Sequence, residues 1–198
     1  MENTELQPLA KEQRIGFGTR LGAYLLDFLF IIIVGVIIGL AIGDMIAPVI
    51  FGGQIAEMEA QFAMMDQLNG GYNEMPFDIY GFIYKMMDIA AGTTIAGFIL
   101  MVMEGAYGQS VGKMMLKIRN TDIYGNRAEP KALWIRSLCK YGSSILGIIG
   151  GSTGIAAIGT LGSIWSLVIF VGMFIVLADN RQAIHDMIAK TVVASTKR

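Results

Sequence analysis

The stretch that decides the fold is LGAYLLDFLFIIIVGVIIGLAI, residues 21–42, an apolar run that contains a single carboxylate, Asp27. A helix of this length crosses the roughly 30 Å of hydrocarbon in a bilayer. The whole chain of 198 residues is 54% hydrophobic and 16% charged, with a mean hydropathy of +0.57. Because these values lie outside the range of soluble domains, we predict an integral membrane protein.

Further apolar segments extend the count of spans. Residues 79–103 form a second run, whereas residues 138–178 are too long for one crossing, at roughly 60 Å if helical throughout. The glycine-rich segment at residues 150–154 is the natural break in that region. We therefore predict one all-α membrane domain, a polytopic bundle over residues 1–198. Its four expected transmembrane helices are residues 20–43, 79–103, 131–149 and 155–178.

Charge segregation predicts the orientation of this bundle. The loop at residues 44–78 contains six acidic residues and no basic one, whereas basic residues collect before the first span, in the stretch at residues 104–140, which includes Arg136 and Lys140, and in the tail. Positive charge accumulates on the cytoplasmic side, so we expect both termini inside and loop 44–78 outside. A three-span arrangement would place the basic tail outside. The N-terminus lacks the pattern of a cleaved signal peptide, so the first span is expected to remain.

The outer loop has a pattern of its own. Its apolar residues between 54 and 68 recur at near-helical spacing, with acidic residues between them. This spacing predicts a short amphipathic extracytoplasmic helix, which either packs over the spans or acts as a gate. Within the first span, Gly35, Gly39 and Gly43 form two consecutive small-xxx-small steps, which favour close helix packing.

Three motifs give the chain a family resemblance. They are GFGTRLGAYLLD at residues 16–27, GQSVGKMMLKIR at residues 108–119 and NRQAIHDMIAKTVV at residues 180–193. In this order they resemble the RDD family of bacterial membrane proteins, which is named for one arginine and two aspartates. The resemblance implies that Arg20, Asp27 and Asp186 are the name-giving set. It also implies a place in the bacterial cytoplasmic (inner) membrane, with transport, including sodium/proton exchange, proposed for some members and assembly roles for others.

The positions of these charges predict one ion pair. Arg20 and Asp27 share a helix face but are separated by roughly 10 Å along the axis, so they do not pair directly. Asp186 follows the last span by several residues and is expected at the inner interface, near Arg20. We predict an Arg20–Asp186 ion pair that ties the tail to the inner mouth of the first span.

Two carboxylates are candidates for ion or proton binding. Asp27 and Asp88 are both expected within the membrane, where carboxylates at similar depth bind a cation or share a proton. The alternative is structural. In that case Lys85, three residues away, neutralises Asp88, and Asp27 pairs with a basic side chain or a helix N-terminus.

Other charges are expected to support these. Glu104 is predicted to partner Lys113 near the inner end of the second span, and Arg181 belongs to the basic tail. His185 is the only histidine, and it is either a hydrogen-bonding interfacial residue or a pH sensor. The sequence shows no phosphate-binding loop, no metal-ligand spacing and no nucleophile–base motif. We therefore expect neither an enzyme nor a cofactor.

These patterns leave two functions open. One is transport of a cation or small solute, for which four spans per chain require a homo-oligomer to enclose a path. The other is a non-transporting scaffold or assembly factor for other membrane proteins. In both cases the basic loop at residues 104–130 is expected to lie against anionic lipids, and no nucleic acid is expected as a partner.

Overall fold

A computed structural model describes residues 7–68 and 78–196 of the chain. The protein is mostly helical, as predicted. Of the charges counted above, Glu74 in the acidic loop and the terminal Lys197 and Arg198 lie outside the described residues. The elements, in chain order, are α1 (Phe17–Leu68), α2 (Ile79–Tyr107), α3 (Val111–Met115), β1 (Ile118–Asp122), α4 (Pro130–Thr153), α5 (Ala156–Met173), α6 (Ile184–Ile188) and β2 (Thr191–Ser195), with short 3-10 helices at Lys11–Gln13 and Phe174–Leu177.

Within residues 7–68 and 78–196, three helices are long and apolar enough to cross a membrane: α1, α2 and the segment Ala156–Leu177. They agree with three of the four predicted spans. The fourth, α4, is helical throughout its predicted range, but its first half contains Lys131, Arg136 and Lys140. These charges lower its hydropathy and set it apart from the other three helices.

Helix α1 differs from the prediction at its C-terminal end. It continues to Leu68, through residues that were assigned to an outer loop beginning at residue 44. The one interruption is at Phe51, where φ is −121° and ψ is 16°. Pro48 lacks a backbone N–H, and two glycines follow Phe51, so the helix is weakest at this point. The predicted helix at residues 54–68 is present, as the segment of α1 that follows this interruption.

The break between α4 and α5 lies at the end of the predicted segment 150–154, because α4 continues four residues beyond its predicted end at residue 149. Helix α4 ends at Thr153 and α5 begins at Ala156. Gly154 between them has φ +70°, a left-handed conformation that glycine adopts readily after a helix.

A small sheet corrects the all-α prediction. Strands β1 and β2 pair antiparallel, with Ile118 opposite Ser195 and Asp122 opposite Thr191. The prediction overlooked β2 because a five-residue strand near the C-terminus finds its partner about seventy positions away in the sequence, beyond the reach of local periodicity. Its β-branched residues Thr191, Val192 and Val193 were the available signal.

The chain divides into two compact units. Of the described residues, one unit comprises 7–30, 98–142 and 165–196, and the other comprises 31–68, 78–97 and 143–164. We call them the terminal unit and the middle unit. The terminal unit has a small apolar core of Ala23, Ile118 and Val193, with Ile15 against it.

The middle unit is organised by close contact between α1 and α2. A Cβ atom placed on Gly35 would meet Thr93, and one placed on Gly39 would meet the backbone of Ile89, both at about 2.6 Å. A Cβ on Gly92 would overlap the backbone of α1. The two helices therefore touch through their glycines, in the manner that the small-xxx-small spacing predicted.

Candidate functional site: a buried charge network

Asp27 accepts two hydrogen bonds from the second motif of the sequence. Its side chain is buried, with Ser110 Oγ donating to Oδ2 at 2.6 Å and the Gly112 amide donating to Oδ1 at 2.7 Å. Helix α3 begins at Val111, so the carboxylate serves as a cap supplied by another helix. A side chain at Gly112 would overlap the carbonyl oxygen of Ala23. Glycine is therefore needed for this close approach.

The contacts of Asp88 are local. Its Oδ2 accepts a hydrogen bond from Lys85 Nζ at 3.2 Å, three residues earlier on α2. Asp27 belongs to the terminal unit and Asp88 to the middle unit, and the described contacts of each lie within its own unit. This geometry matches the alternative of local pairing for both carboxylates, with the N-terminus of α3 as the partner of Asp27.

The structure contains the Arg20–Asp186 ion pair that the sequence analysis proposes. Arg20 Nη1 donates to Asp186 Oδ2, while Nε donates to the Ile15 carbonyl at 3.0 Å and Nη2 to the Arg181 carbonyl at 2.7 Å. Asp186 is fully buried, and its Oδ2 also accepts the Ala183 amide at 3.1 Å. The pair therefore joins the start of α1 to helix α6 and the loop before it.

Arg136 connects this pair to a second buried carboxylate. Its Nε donates to Asp186 Oδ1 at 2.7 Å, and its Nη1 donates to Glu104 Oε1 at 2.5 Å. Arg136 is 2% exposed and both carboxylates are 0% exposed, so this bridge is shielded from water. One guanidinium thus holds helices α2, α4 and α6 together.

Glu104 collects further cations. Lys113 Nζ donates to Oε1, and Lys140 Nζ donates to Oε2 at 2.7 Å. Asn120 on β1 accepts from Lys113 at 3.0 Å and donates to Glu104 at 3.3 Å. The predicted Glu104–Lys113 pairing is present as part of this larger group.

We call the whole set the buried charge network. It consists of Arg20, Glu104, Lys113, Arg136, Lys140 and Asp186. Four cationic side chains face two carboxylates, so positive charge is in excess. Burial and the neighbouring charge of Arg136 together lower the pKa of Lys113 to about 7, despite the opposing attraction of Glu104. Protonation of Lys113 therefore changes near neutral pH, which makes this lysine the adjustable charge of the network.

Asp186 and His185 have fixed protonation states in this setting. Although burial opposes ionisation, the charges of Arg136 and Arg20 hold the pKa of the Asp186 carboxyl well below its usual range. Burial, and then the charge of Arg136, lower the pKa of His185 to about 3. His185 is therefore neutral at physiological pH, and its Nε2 lies 3.3 Å from Arg136 Nη2, where it accepts a hydrogen bond. The geometry favours the hydrogen-bonding role of His185 over a pH sensor in the physiological range.

Arg181 lies at the edge of the network. Its Nη1 donates to the carbonyl oxygens of Lys11 and Arg14, at 3.2 and 3.0 Å. Its backbone adopts φ +47°, so a non-glycine residue sits in the left-handed region at this turn. Arg181 therefore fastens the N-terminal segment to the loop before α6.

The bridge formed by Arg136 was not predicted from the sequence. Arg136 and Lys140 were counted only as charges that set topology, although they are four residues apart and share a face of α4. Glu104 is the one carboxylate between Asp88 and Asp122 in the sequence. One acidic residue among many basic residues in this part of the sequence was the signal that several cations pair with it. Among the described residues, no group of three or more His, Cys, Asp or Glu side chains is arranged to hold a metal ion.

Helices long and apolar enough to cross a bilayer define the class, a helical integral membrane protein. The chain belongs to the RDD family, whose family model matches residues 14–190. This match confirms the family resemblance of the three sequence motifs. Neither the comparison with curated proteins nor that with solved structures gave a match.

Proposed function

We propose that this RDD protein is a non-enzymatic transporter of a cation or small solute in the bacterial cytoplasmic membrane, working by exchange against protons. The observation that supports it most directly is the buried contact between Lys113 and Glu104, in which the pKa of Lys113 is about 7. Both residues follow the predicted span that ends at residue 103, and a buried ionisable pair with a strongly shifted pKa is a candidate functional site.

Exchange follows because the ammonium group of Lys113 and a cation from solution compete for the carboxylate of Glu104. When Lys113 is protonated, its ammonium group occupies Glu104 Oε1. When Nζ releases its proton, Oε1 keeps Arg136 as one cationic partner and loses the other, whose place a cation from solution takes in this proposal. An incoming cation in turn disfavours the charged lysine by repulsion, so binding of the cation and release of the proton are linked.

Asp27 has a positioning role in this proposal. Its carboxylate holds the amide of Gly112, the residue next to Lys113, and so fixes the start of α3. The candidate titrating pair is therefore Glu104–Lys113 instead of Asp27 and Asp88. The Arg20–Asp186 ion pair holds helix α6 against the buried charge network.

The proposed arrangement in the membrane has four spans, with both termini on the cytoplasmic side. The basic residues at 104–140 and the absence of any basic residue from 44–78 in the sequence support this orientation. Four spans enclose too little volume for a path, so the functional unit is a homo-oligomer. The partners are membrane lipids and further copies of the chain, without nucleic acid.

A scaffold or assembly factor for other membrane proteins is the second candidate. It is favoured by the hydrogen bonding of Asp27 and Asp186, because all four carboxylate oxygens already accept bonds from protein donors. Charges held in this way fix the fold.

Flux measurements on purified protein in proteoliposomes test the proposal. Sodium, potassium and proton gradients are applied, and internal pH is followed for the wild type, Lys113→Arg and Glu104→Gln. Arginine keeps the positive charge but does not release its proton, so Lys113→Arg is expected to abolish exchange while the protein stays folded. Lys131→Arg, the same substitution at an exposed lysine near the start of α4, is the matched control and keeps its flux. Absence of flux under every gradient for folded wild type overturns transport and supports the scaffold.

A further inference from the structure

The terminal unit contains the same small structure twice. Helix α3 is followed by Leu116, Lys117 and strand β1, and helix α6 by Ala189, Lys190 and strand β2. Each helix and each strand is five residues long. Lys117 and Lys190 both adopt the left-handed conformation, with φ of 54° and 52°. Two lysines in this uncommon conformation, each just ahead of a strand, indicate a structural repeat.

Side-chain hydrogen bonds follow the same repeat. Gln109 Nε2 donates to the carbonyl oxygen of Ile118 at 2.9 Å, and Gln182 Nε2 donates to that of Thr191 at 2.9 Å. In each copy the glutamine precedes the helix and binds the first residue of the strand. Equivalent residues therefore occupy equivalent positions in the two copies.

The strand register relates the copies by a local two-fold axis. Asn120 pairs with Val193, and these are the central residues of the two strands. The two-fold axis of an antiparallel pair is perpendicular to the plane of the two strands. Equivalent elements therefore lie on the same face of this two-stranded ribbon. The ends of α3 and α6 are thus placed at opposite ends of one short ribbon, separated by roughly 17 Å for five strand residues.

Both ends present exposed apolar side chains beside an exposed lysine. Met114 and Met115 are 54% and 63% exposed, and the equivalent Met187 and Ile188 are 49% and 51% exposed. The buried residue at the preceding position of each helix, Lys113 or Asp186, belongs to the buried charge network. One side of α3 and of α6 is therefore held in the buried charge network. The opposite side of each helix carries the exposed apolar residues.

We propose that these two tips are a paired membrane anchor that dips into the cytoplasmic leaflet and binds anionic phospholipid. The tips are the Met114–Met115 pair with Lys117, and the Met187–Ile188 pair with Lys190. Apolar side chains enter the headgroup region while neighbouring lysines contact lipid phosphates, the usual chemistry of interfacial segments. The proposal rests on the cytoplasmic placement of the terminal unit given under Proposed function.

The chain itself points to the bilayer as the occupant. Helix α3 begins four positions after the apolar helix α2 ends, and α6 begins seven positions after the 3-10 helix that closes the segment Ala156–Leu177. At 3.3–3.6 Å per residue, such linkers keep the first residues of α3 and α6 within roughly 25 Å of the ends of apolar helices. The positive charge of Lys117 and Lys190 complements anionic headgroups.

Depth-dependent fluorescence quenching in the full-length protein tests the anchor. In a Cys139→Ala background, the single cysteines Met115→Cys, Ile188→Cys and, as the control, Asn126→Cys are labelled with an environment-sensitive dye. The proteins are placed in vesicles of phosphatidylcholine alone or with phosphatidylglycerol. Lipids spin-labelled near the headgroup are expected to quench both tip positions at least twofold more than Asn126, and more strongly with phosphatidylglycerol. Replacing Lys117 and Lys190 by Gln is expected to remove the extra effect of phosphatidylglycerol.

Quenching of neither tip, or of only one, overturns the paired anchor. A separate readout tests the orientation on which it rests: an impermeant thiol reagent is added to Asn126→Cys in vesicles of known sidedness. Labelling from the cytoplasmic side with unquenched tips overturns the anchor and leaves the orientation intact. Labelling from the outer side with quenched tips overturns the orientation, and with it the cytoplasmic placement of the anchor.

Discussion

Arg136 lies against Asp186 in the interior of the terminal unit, with Nε 2.7 Å from Oδ1. Through the same guanidinium, Asp186 is linked to Glu104. The last aspartate of the family motif is therefore held from two sides, by Arg20 from α1 and by Arg136 from α4. Two guanidinium groups for one carboxylate explain why the third motif folds back against the first.

Replacing the bridge is expected to destabilise the protein strongly. Arg136→Met leaves Asp186 and Glu104 buried with one cation fewer, and breaking a buried pair costs about 3–5 kcal/mol. The free energy of unfolding is measured by denaturant titration in micelles. Arg127→Met, at an exposed arginine, is the control, with an expected change within about 0.5 kcal/mol. Equal effects of the two substitutions would contradict the bridge.

The cap on α3 is expected to appear as an energetic coupling. Asp27 and Ser110 share a 2.6 Å hydrogen bond, so the effects of Asp27→Asn and Ser110→Ala on unfolding should be non-additive. Residues in one hydrogen-bonded network couple by about 0.5–3 kcal/mol. The measurement is a double-mutant cycle by denaturant titration. Additive effects would show that Asp27 acts elsewhere, for example as a ligand for an ion.

The sequence sufficed for features that depend on local composition. Apolar length identified the three membrane helices, and glycine spacing identified the contact between α1 and α2 and the break at Gly154. The Arg20–Asp186 pair was also accessible, because both residues were expected at the same end of the apolar spans. Each of these inferences needs only helix geometry and the positions of apolar, glycine or charged residues in the sequence.

The remainder depended on contacts between distant segments. Arg136 looks like one basic residue among many until α4 brings it between Asp186 and Glu104. Strand β2 pairs with β1 across about seventy positions, and no local pattern specifies that register. Asp27 was expected deep in the membrane, whereas its nearest groups are the hydroxyl of Ser110 and the amide of Gly112. The sequence also allowed Asp27 to pair with a helix N-terminus, but only the fold identifies the N-terminus of α3 as that partner.

The stability of the protein is expected to rise with pH above neutrality. The pKa of Lys113 is about 7 in the native state and 10.5 for a free lysine, so between these values the unfolded chain binds more protons. The free energy of unfolding therefore increases with pH across this window. Lys113→Arg, which titrates in neither state, should flatten the increase, whereas Lys117→Arg should not. Unfolding titrations from pH 7 to 10 measure the slopes. A slope unchanged by Lys113→Arg would assign the effect to other groups.

Two glycines of α2 should respond oppositely to one methyl group. A Cβ at Gly92 would overlap the carbonyl oxygen of Gly35 and the amide of Gly39, whereas a Cβ at Gly97 meets nothing within 4 Å. Gly92→Ala therefore forces α1 and α2 apart and is expected to lower the free energy of unfolding by about 1–3 kcal/mol, as overpacking does. Gly97→Ala is expected to raise it by about 0.5–1 kcal/mol, because alanine favours the helix. Both variants are compared with the wild type by denaturant titration in the same detergent. If both glycines tolerate alanine equally, the α1–α2 contact in the middle unit is looser than the small-xxx-small packing requires.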